Sequence, residues 1–133
     1  MTGSARAGEL LARFAARQER MVADLEALVL RESPSSDAAA VTALSDWIAA
    51  TLAGRGVPAE RVAFDGRGDG VGARLGPGTG GTLLLAHLDT VWPLGTLAAR
   101  PFHAGGSLAT GPGVFDMKAG IAIALAVLSA AAE

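Results

Sequence analysis

The stretch that most constrains this chain is TLLLAHLD at residues 82–89. Its four successive apolar residues predict a short strand buried on both faces, which would deliver His87 and Asp89 to its carboxyl end. A second stretch, GPGVFDMK at residues 111–118, contains Asp116. Because ligands of open α/β sheets gather outside the carboxyl ends of the strands, we predict that this His and these two Asp residues begin a metal site.

Two N-terminal segments carry apolar residues at helical spacing. The first predicts one long amphipathic helix over residues 7–31, and the second predicts a helix over residues 38–53. Pro34 disfavours a helical residue before it, and Asp37 is a suitable N-cap for the second helix. From Lys118 an Ala-rich segment predicts a further helix. We expect this helix to be buried, because its apolar run of about 14 residues is too short to span a bilayer of roughly 30 Å.

Alternating apolar residues predict a hairpin between residues 62 and 75. The sequence GPGTGG at residues 76–81 fits a dinucleotide-binding pattern as letters. We interpret it as a turn, because it precedes a strand instead of following one and opening a helix. The polar segment over residues 90–110 predicts a loop that could shape a substrate pocket. We therefore predict an α/β fold, a sheet with helices on its faces and the strand that ends at His87 in its interior.

Composition argues against several classes of function. The formal net charge is −2 and no Lys/Arg cluster is interleaved with aromatic residues, so we do not expect nucleic acid as a partner. The chain has no cysteine, which leaves histidine and carboxylates as its strong metal ligands. Charged residues interrupt every apolar run near the N-terminus, so we expect a cytoplasmic protein that does not bind a membrane.

Each candidate site residue also has a purely structural alternative. Asp89 can accept a ring N–H of a metal-bound His87, whereas a lone histidine beside a buried strand is commonly a hydrogen-bonded core residue. Three leucines that end in a polar triplet favour a site over such a core residue.

Asp116 either bridges two cations or caps the helix that follows. Lys118 either pairs with a carboxylate or lies at the helix start. Loop or turn positions are assigned to His103, Asp65 and Asp69.

The motifs HLDTVWPLGTL at residues 87–97 and GPGVFDMKAGIA at residues 111–122 resemble a family of zinc-dependent exopeptidases and deacylases. This family contains glutamate carboxypeptidase, acetylornithine deacetylase, succinyl-diaminopimelate desuccinylase and aminoacylase, and the similarity is closest to glutamate carboxypeptidase-like members. The resemblance implies that His87 and Asp116 bind metal, with Asp116 bridging two zinc ions, and that Asp89 is a catalytic residue that orients His87. It also implies a non-proline cis peptide after Asp116. Cobalt or manganese would suit the same donors.

The resemblance further implies a hydrolase that cleaves a peptide or an N-acyl amino acid with water held between two zinc ions. The family's general base, its remaining zinc ligands, its dimerisation domain and its C-terminal half have no counterpart in these 133 residues. We therefore expect residues 1–133 to be the N-terminal part of a metallohydrolase catalytic domain. We expect it to be inactive alone and prone to associate, and the full-length enzyme to be a homodimer. The alternative is a non-catalytic interaction or metal-binding module with the same partial fold.

Overall fold

The computed structural model describes residues 3–133. Within them, three helices are followed by two pairs of short strands with a short helix between the pairs, and a π-helical turn (Val114–Lys118) precedes the last helix. The elements are α1 (Gly3–Ala15), α2 (Gln18–Val29), α3 (Ala38–Ala53), β1 (Ala59–Val62), β2 (Gly70–Ala73), α4 (Thr96–Ala99), β3 (His103–Gly105), β4 (Leu108–Thr110) and α5 (Ala119–Ala132). The strands form two separate antiparallel pairs, β1–β2 and β3–β4. The chain therefore mixes helices with small antiparallel sheets.

The hydrophobic core lies where α2, α3 and α5 meet. Each helix contributes leucines that are almost completely buried: Leu28 from α2, Leu44 and Leu52 from α3, and Leu125 from α5. Val57, in the connection after α3, is also fully buried. The helical half of the molecule is thus the part that excludes water.

The helix α3 begins and ends as its sequence predicts. The Asp37 side chain accepts a hydrogen bond from the Ala40 N–H at 2.9 Å, which confirms it as the N-cap. The helix ends before two glycines, of which Gly56 adopts a left-handed φ of 77°. The predicted buried face is also confirmed: Val41, Leu44, Ile48 and Leu52.

The single helix predicted over residues 7–31 is wrong, because the structure has two helices there. At the break, the Arg17 N–H bonds to the Phe14 oxygen three residues back, and Arg17 has φ −104° and ψ 3°. The helix α1 buries none of its residues, whereas α2 buries four. The break separates the part of this segment that packs in the core from the part that does not. No glycine or proline marks it in the sequence.

The buried strand predicted over residues 82–89 is also wrong. Residues 81–89 form no regular strand, and the side chains of Leu83 and Leu85 are 82% and 84% exposed. A strand buried on both faces needs neighbouring strands and covering layers, and the described residues supply only one isolated parallel bridge, between Pro34 and Thr90. The predicted sheet with this strand in its interior is therefore not formed by residues 3–133.

Two hairpins complete the structure. The pairing of β1 with β2 confirms the first, with Ala59 opposite Ala73, although Phe64 lies outside its strands. The pairing of β3 with β4 corrects the prediction of a loop over residues 90–110. Its strands have three residues each, too few for an alternating pattern to be visible. The GPGTGG stretch at residues 76–81 has neither helix nor strand, as a turn requires.

The segment Val114–Ala132, with a mean hydropathy of 1.8 over its most apolar window, is long and apolar enough to cross a membrane by length and composition alone. The core helix of a soluble protein passes the same test. The backbone leaves helical geometry at Asp116 and Met117, so the regular part is the 14-residue α5. One face of α5 is buried in the core, as predicted, through Ile121, Ala122, Leu125 and Ala126.

Candidate functional site

The structure brings the three predicted site residues together. The Nε2 atom of His87 lies 2.8 Å from Oδ1 of Asp116. Its Nδ1 atom lies 3.0 Å from the main-chain oxygen of Asp89 and 3.3 Å from Oδ1 of the same residue. Two carboxylates therefore flank one imidazole, although Asp116 is distant from the other two residues in the sequence.

The backbone around Asp116 directs its carboxylate towards His87. Asp116 has φ −127° and ψ 96°, outside the helical region. The Asp116–Met117 peptide bond is cis, which confirms that prediction. The helix α5 begins without a side-chain cap, so the alternative interpretation of Asp116 as an N-cap is wrong. Met117 supports the same contact, because its Sδ atom accepts from the N–H of His87 at 3.4 Å.

The electrostatics of the cluster follow from these contacts. The hydrogen bond to Asp116 raises the pKa of the His87 imidazole, and the main-chain oxygen of Asp89 acts in the same direction. The Ser35 hydroxyl beside it is the main cause that lowers the pKa of the Asp89 carboxyl. Both ring nitrogens of His87 therefore face acceptors, which is why the pKa of the imidazole lies above its usual value.

Lys118 fixes the turn that carries Asp116. Its side chain is 2% exposed, and its Nζ atom donates to the main-chain oxygens of Leu28 at 2.8 Å and Arg31 at 2.7 Å. Burial lowers the pKa of this amine to about 8. Of the two predicted roles, the position at the helix start is confirmed, and no hydrogen bond to a carboxylate is formed. The only sequence signal for this anchor is a lysine directly before an apolar helix.

The cluster is open to solvent. The side chains of Asp116 and His87 are 77% and 45% exposed. A cavity of about 290 Å³ lies elsewhere, between α2, α5 and the connection that follows α3, and none of the three site residues lines it. Arginines contribute much of its lining: Arg17, Arg20 and Arg55. Within residues 3–133 the site is therefore a surface cluster and not an enclosed pocket. The other predicted non-site residues stay apart from it, since His103 lies on β3 and Asp69 pairs with Arg61 at 3.2 Å.

The donors fit a metal in kind but not in number. Imidazole and carboxylate are ligands of zinc, and a closed zinc site needs about four donors. Across residues 3–133, no group of three or more His, Asp or Glu side chains is arranged to hold a metal ion. The 2.8 Å between His87 and Asp116 is a direct hydrogen bond. The described residues alone therefore do not form a complete metal site.

Comparison with known proteins supports a carboxypeptidase-like relationship. The chain is 35% identical over 114 residues to carboxypeptidase G2 from Pseudomonas sp. (strain RS-16). The aligned region covers 84% of this chain and 28% of that relative, so the chain spans just over a quarter of the relative's length. No family model matches the chain. The resemblance inferred from the two motifs is thereby supported as a similarity to a carboxypeptidase, and the particular members of the family are not distinguished.

Proposed function

We propose that this chain is part of a zinc-dependent metallopeptidase or amidohydrolase that cleaves a peptide or N-acyl amino acid amide bond in a carboxypeptidase-like reaction. The contact between His87 and Asp116 carries the proposal, because these residues are 29 positions apart in the sequence and meet at 2.8 Å. The similarity to carboxypeptidase G2 supports the hydrolase class.

In this proposal, the three clustered residues have different roles. His87 would hold a metal ion through Nε2, and the Asp116 carboxylate would serve as the ligand between two ions. Asp89 holds the Nδ1–H of His87 and so leaves Nε2 for the metal, which fixes the tautomer and the ring orientation. Bound zinc would lower the pKa of a water molecule and polarise the substrate carbonyl. Because the imidazole must give up its Nε2 proton, metal uptake releases a proton from this cluster.

The site needs further groups to complete it. We propose that residues 1–133 correspond to the N-terminal part of the catalytic domain, and that the general base and the remaining ligands come from polypeptide that aligns with the part of the relative outside the matched 28%. On this view the isolated chain binds zinc weakly and does not turn over substrate, and the complete enzyme is a homodimer.

Titration of zinc into the purified chain tests the proposal. We expect weak binding that is lost in His87→Ala and in Asp116→Ala. The matched control is His103→Ala, which removes an exposed histidine on β3 and should bind zinc like the parent chain. Loss of binding in the control instead, or equal binding in all variants, would contradict the assignment of the ligands.

An amide-hydrolysis assay on N-acyl amino acids and on folates extends this test. We expect no turnover by the 133-residue chain with added zinc, since two or three donors do not make a complete site. Clear turnover that depends on His87 would show that the chain needs no further ligands, and our account of the missing groups would be wrong.

A second candidate is a non-catalytic interaction or metal-binding module. Two observations favour an interaction module over a metal-binding one: across the described residues the donors are too few to hold a metal, and Leu83 and Leu85 are exposed. A complete absence of zinc binding by the parent chain would favour this module over the hydrolase.

A further inference from the structure

The connection between α2 and α3 holds the segment that carries Asp89. Ser33 is completely buried, and its hydroxyl donates to the main-chain oxygen of Leu88 at 2.8 Å. The main-chain oxygen of Ser33 accepts from the N–H of Thr90, also at 2.8 Å. Ser33 therefore forms hydrogen bonds with the residues immediately before and after Asp89.

Ser35 adds to this attachment from the other side of Pro34. Its N–H and its hydroxyl both donate to the main-chain oxygen of Thr90, at 2.9 Å and 3.1 Å. Pro34 itself forms the parallel bridge with Thr90. The proline ring fixes its own φ and restricts the residue before it. The Ser-Pro-Ser connection is therefore a stiff support for residues 88–90.

The turn that carries Asp116, on the opposite side of the site, is anchored to the same part of the chain. The Lys118 amine bonds to the oxygens of Leu28 and Arg31, at the C-terminal end of α2 and just before the Ser-Pro-Ser connection. Lys118 lies two residues after Asp116. The end of α2 therefore anchors both the segment with Asp89 and the turn with Asp116, which meet at His87.

We infer that Ser33 is a positioning residue, whose buried hydroxyl holds the Leu88–Asp89 peptide so that Asp89 meets the Nδ1 side of His87. Removing the hydroxyl takes away one donor of the Leu88 oxygen and frees the peptide plane to rotate. Asp89 would then no longer fix the ring. The catalytic meaning of this role rests on the proposed hydrolase function, whereas the geometry itself can be tested without a metal.

The chain offers a matched control for this inference. Ser45 is as completely buried as Ser33, but among residues 3–133 its hydroxyl has no hydrogen-bond partner. Ser33→Ala and Ser45→Ala therefore remove the same atom from equally buried positions. Only the first removes a hydrogen bond to the site.

Ring ¹⁵N chemical shifts from NMR give a direct readout of the His87 tautomer and its hydrogen bonds. The sequence has two histidines, so the exposed His103 serves as an internal reference. We expect Ser33→Ala to move the His87 ring signals and leave those of His103 in place, while Ser45→Ala moves neither. In a parallel zinc titration, we expect Ser33→Ala to weaken binding by about tenfold or more, the size of effect known for residues that orient a metal ligand.

Unchanged His87 ring signals in folded Ser33→Ala would overturn the inference, whatever the zinc titration shows. If the parent chain binds no zinc, the proposed metal function fails, and the ring signals still decide the positioning role. If Ser33→Ala does not fold, Ser33→Cys gives the same test, because it keeps a side chain of similar shape with a much weaker donor to the Leu88 oxygen. A Ser33→Cys spectrum identical to that of the parent chain would then overturn the inference.

Discussion

Two leucine-rich regions of this molecule differ completely in burial. In α2, α3 and α5, leucines such as Leu28 and Leu44 are fully buried. In residues 82–86, Leu83 and Leu85 form an equally apolar run and stay exposed. The helices bury one another, whereas the extended segment has no neighbouring strand among the described residues. An apolar stretch therefore tends to be buried, but it becomes buried only where another surface packs against it.

The largest expected effect contrasts these two regions directly. Leu44→Ala should lower the free energy of unfolding by about 2–5 kcal/mol, because it removes buried methyl groups and leaves a cavity. Leu85→Ala should change it by less than about 0.5 kcal/mol, as exposed sites do. Urea unfolding followed by circular dichroism measures both. Similar losses for the two variants would mean that residues 82–86 are buried in solution.

The second prediction concerns Gly113, which lies where the turn before α5 meets Thr90. Its φ is 73°, and an added Cβ atom would lie 2.6 Å from Cγ2 of Thr90. Gly106 has a similar φ of 60° and open space around it. Both changes to alanine should carry the left-handed penalty of about 1–2 kcal/mol. Gly113→Ala should cost about 1–3 kcal/mol more from overpacking.

Thermal unfolding of the two glycine variants separates these contributions. A lower melting temperature for Gly113→Ala than for Gly106→Ala is the expected result. Equal melting temperatures would show that Thr90 does not stay close to Gly113 in solution. Residues 88–90 would then be held less tightly than in the structure.

The third prediction is a pH dependence that involves Glu32. Its carboxylate accepts from the N–H groups of Gly95 at 2.7 Å and Leu97 at 2.9 Å, and these bonds lower its pKa in the folded chain. A lowered folded pKa stabilises the fold above the ordinary value of 4.5 and ceases to do so as the pH falls through the folded value. Glu32→Gln should therefore cost about 1–2 kcal/mol at pH 7, typical of lost hydrogen bonds to a charged group.

Urea unfolding of this variant at several pH values tests the direction of this pH dependence. We expect the difference from the parent chain to be constant above pH 5 and to shrink as the solution becomes more acidic. A difference that grows towards low pH would contradict the assignment of the charged acceptor.

The smallest expected effect on stability accompanies a change in association. Replacing both Leu83 and Leu85 by lysine should reduce self-association of the chain and leave its free energy of unfolding nearly unchanged, because exposed apolar patches drive association. Sedimentation velocity compares this variant with Leu108→Lys, which alters an exposed leucine on β4. Equal association of all three proteins would show that residues 82–86 are not the contact surface.

Local signals account for the parts of the fold that the sequence predicted correctly. Asp37 and the glycines after Ala53 delimit α3, and a change of period reveals β1 and β2. The break at Arg17 and the strand partner of residues 82–89 have no such local mark. The first depends on which part of the helix packs in the core, and the second depends on distant strands. The short β3–β4 hairpin leaves too few residues for a pattern.

The candidate site was likewise predictable from the sequence only in part. The meeting of His87, Asp89 and Asp116 was predictable from two polar motifs at the ends of apolar segments. The burial of Lys118 and the support from Ser33 were not, because their partners are main-chain oxygens. Main-chain oxygens are the same at every residue, so a sequence cannot indicate which ones a buried side chain will reach.

The anchoring of Lys118 has a chemical consequence. Lys118 is the only lysine in the sequence, and the residue is 2% exposed. The folded chain therefore presents no side-chain amine to an acylating reagent, and the reagent reacts at this position only when the end of α2 and the turn before α5 separate. The rate of acylation of Lys118 therefore measures how often the candidate site opens. Mass spectrometry detects the acyl group that is added to this residue.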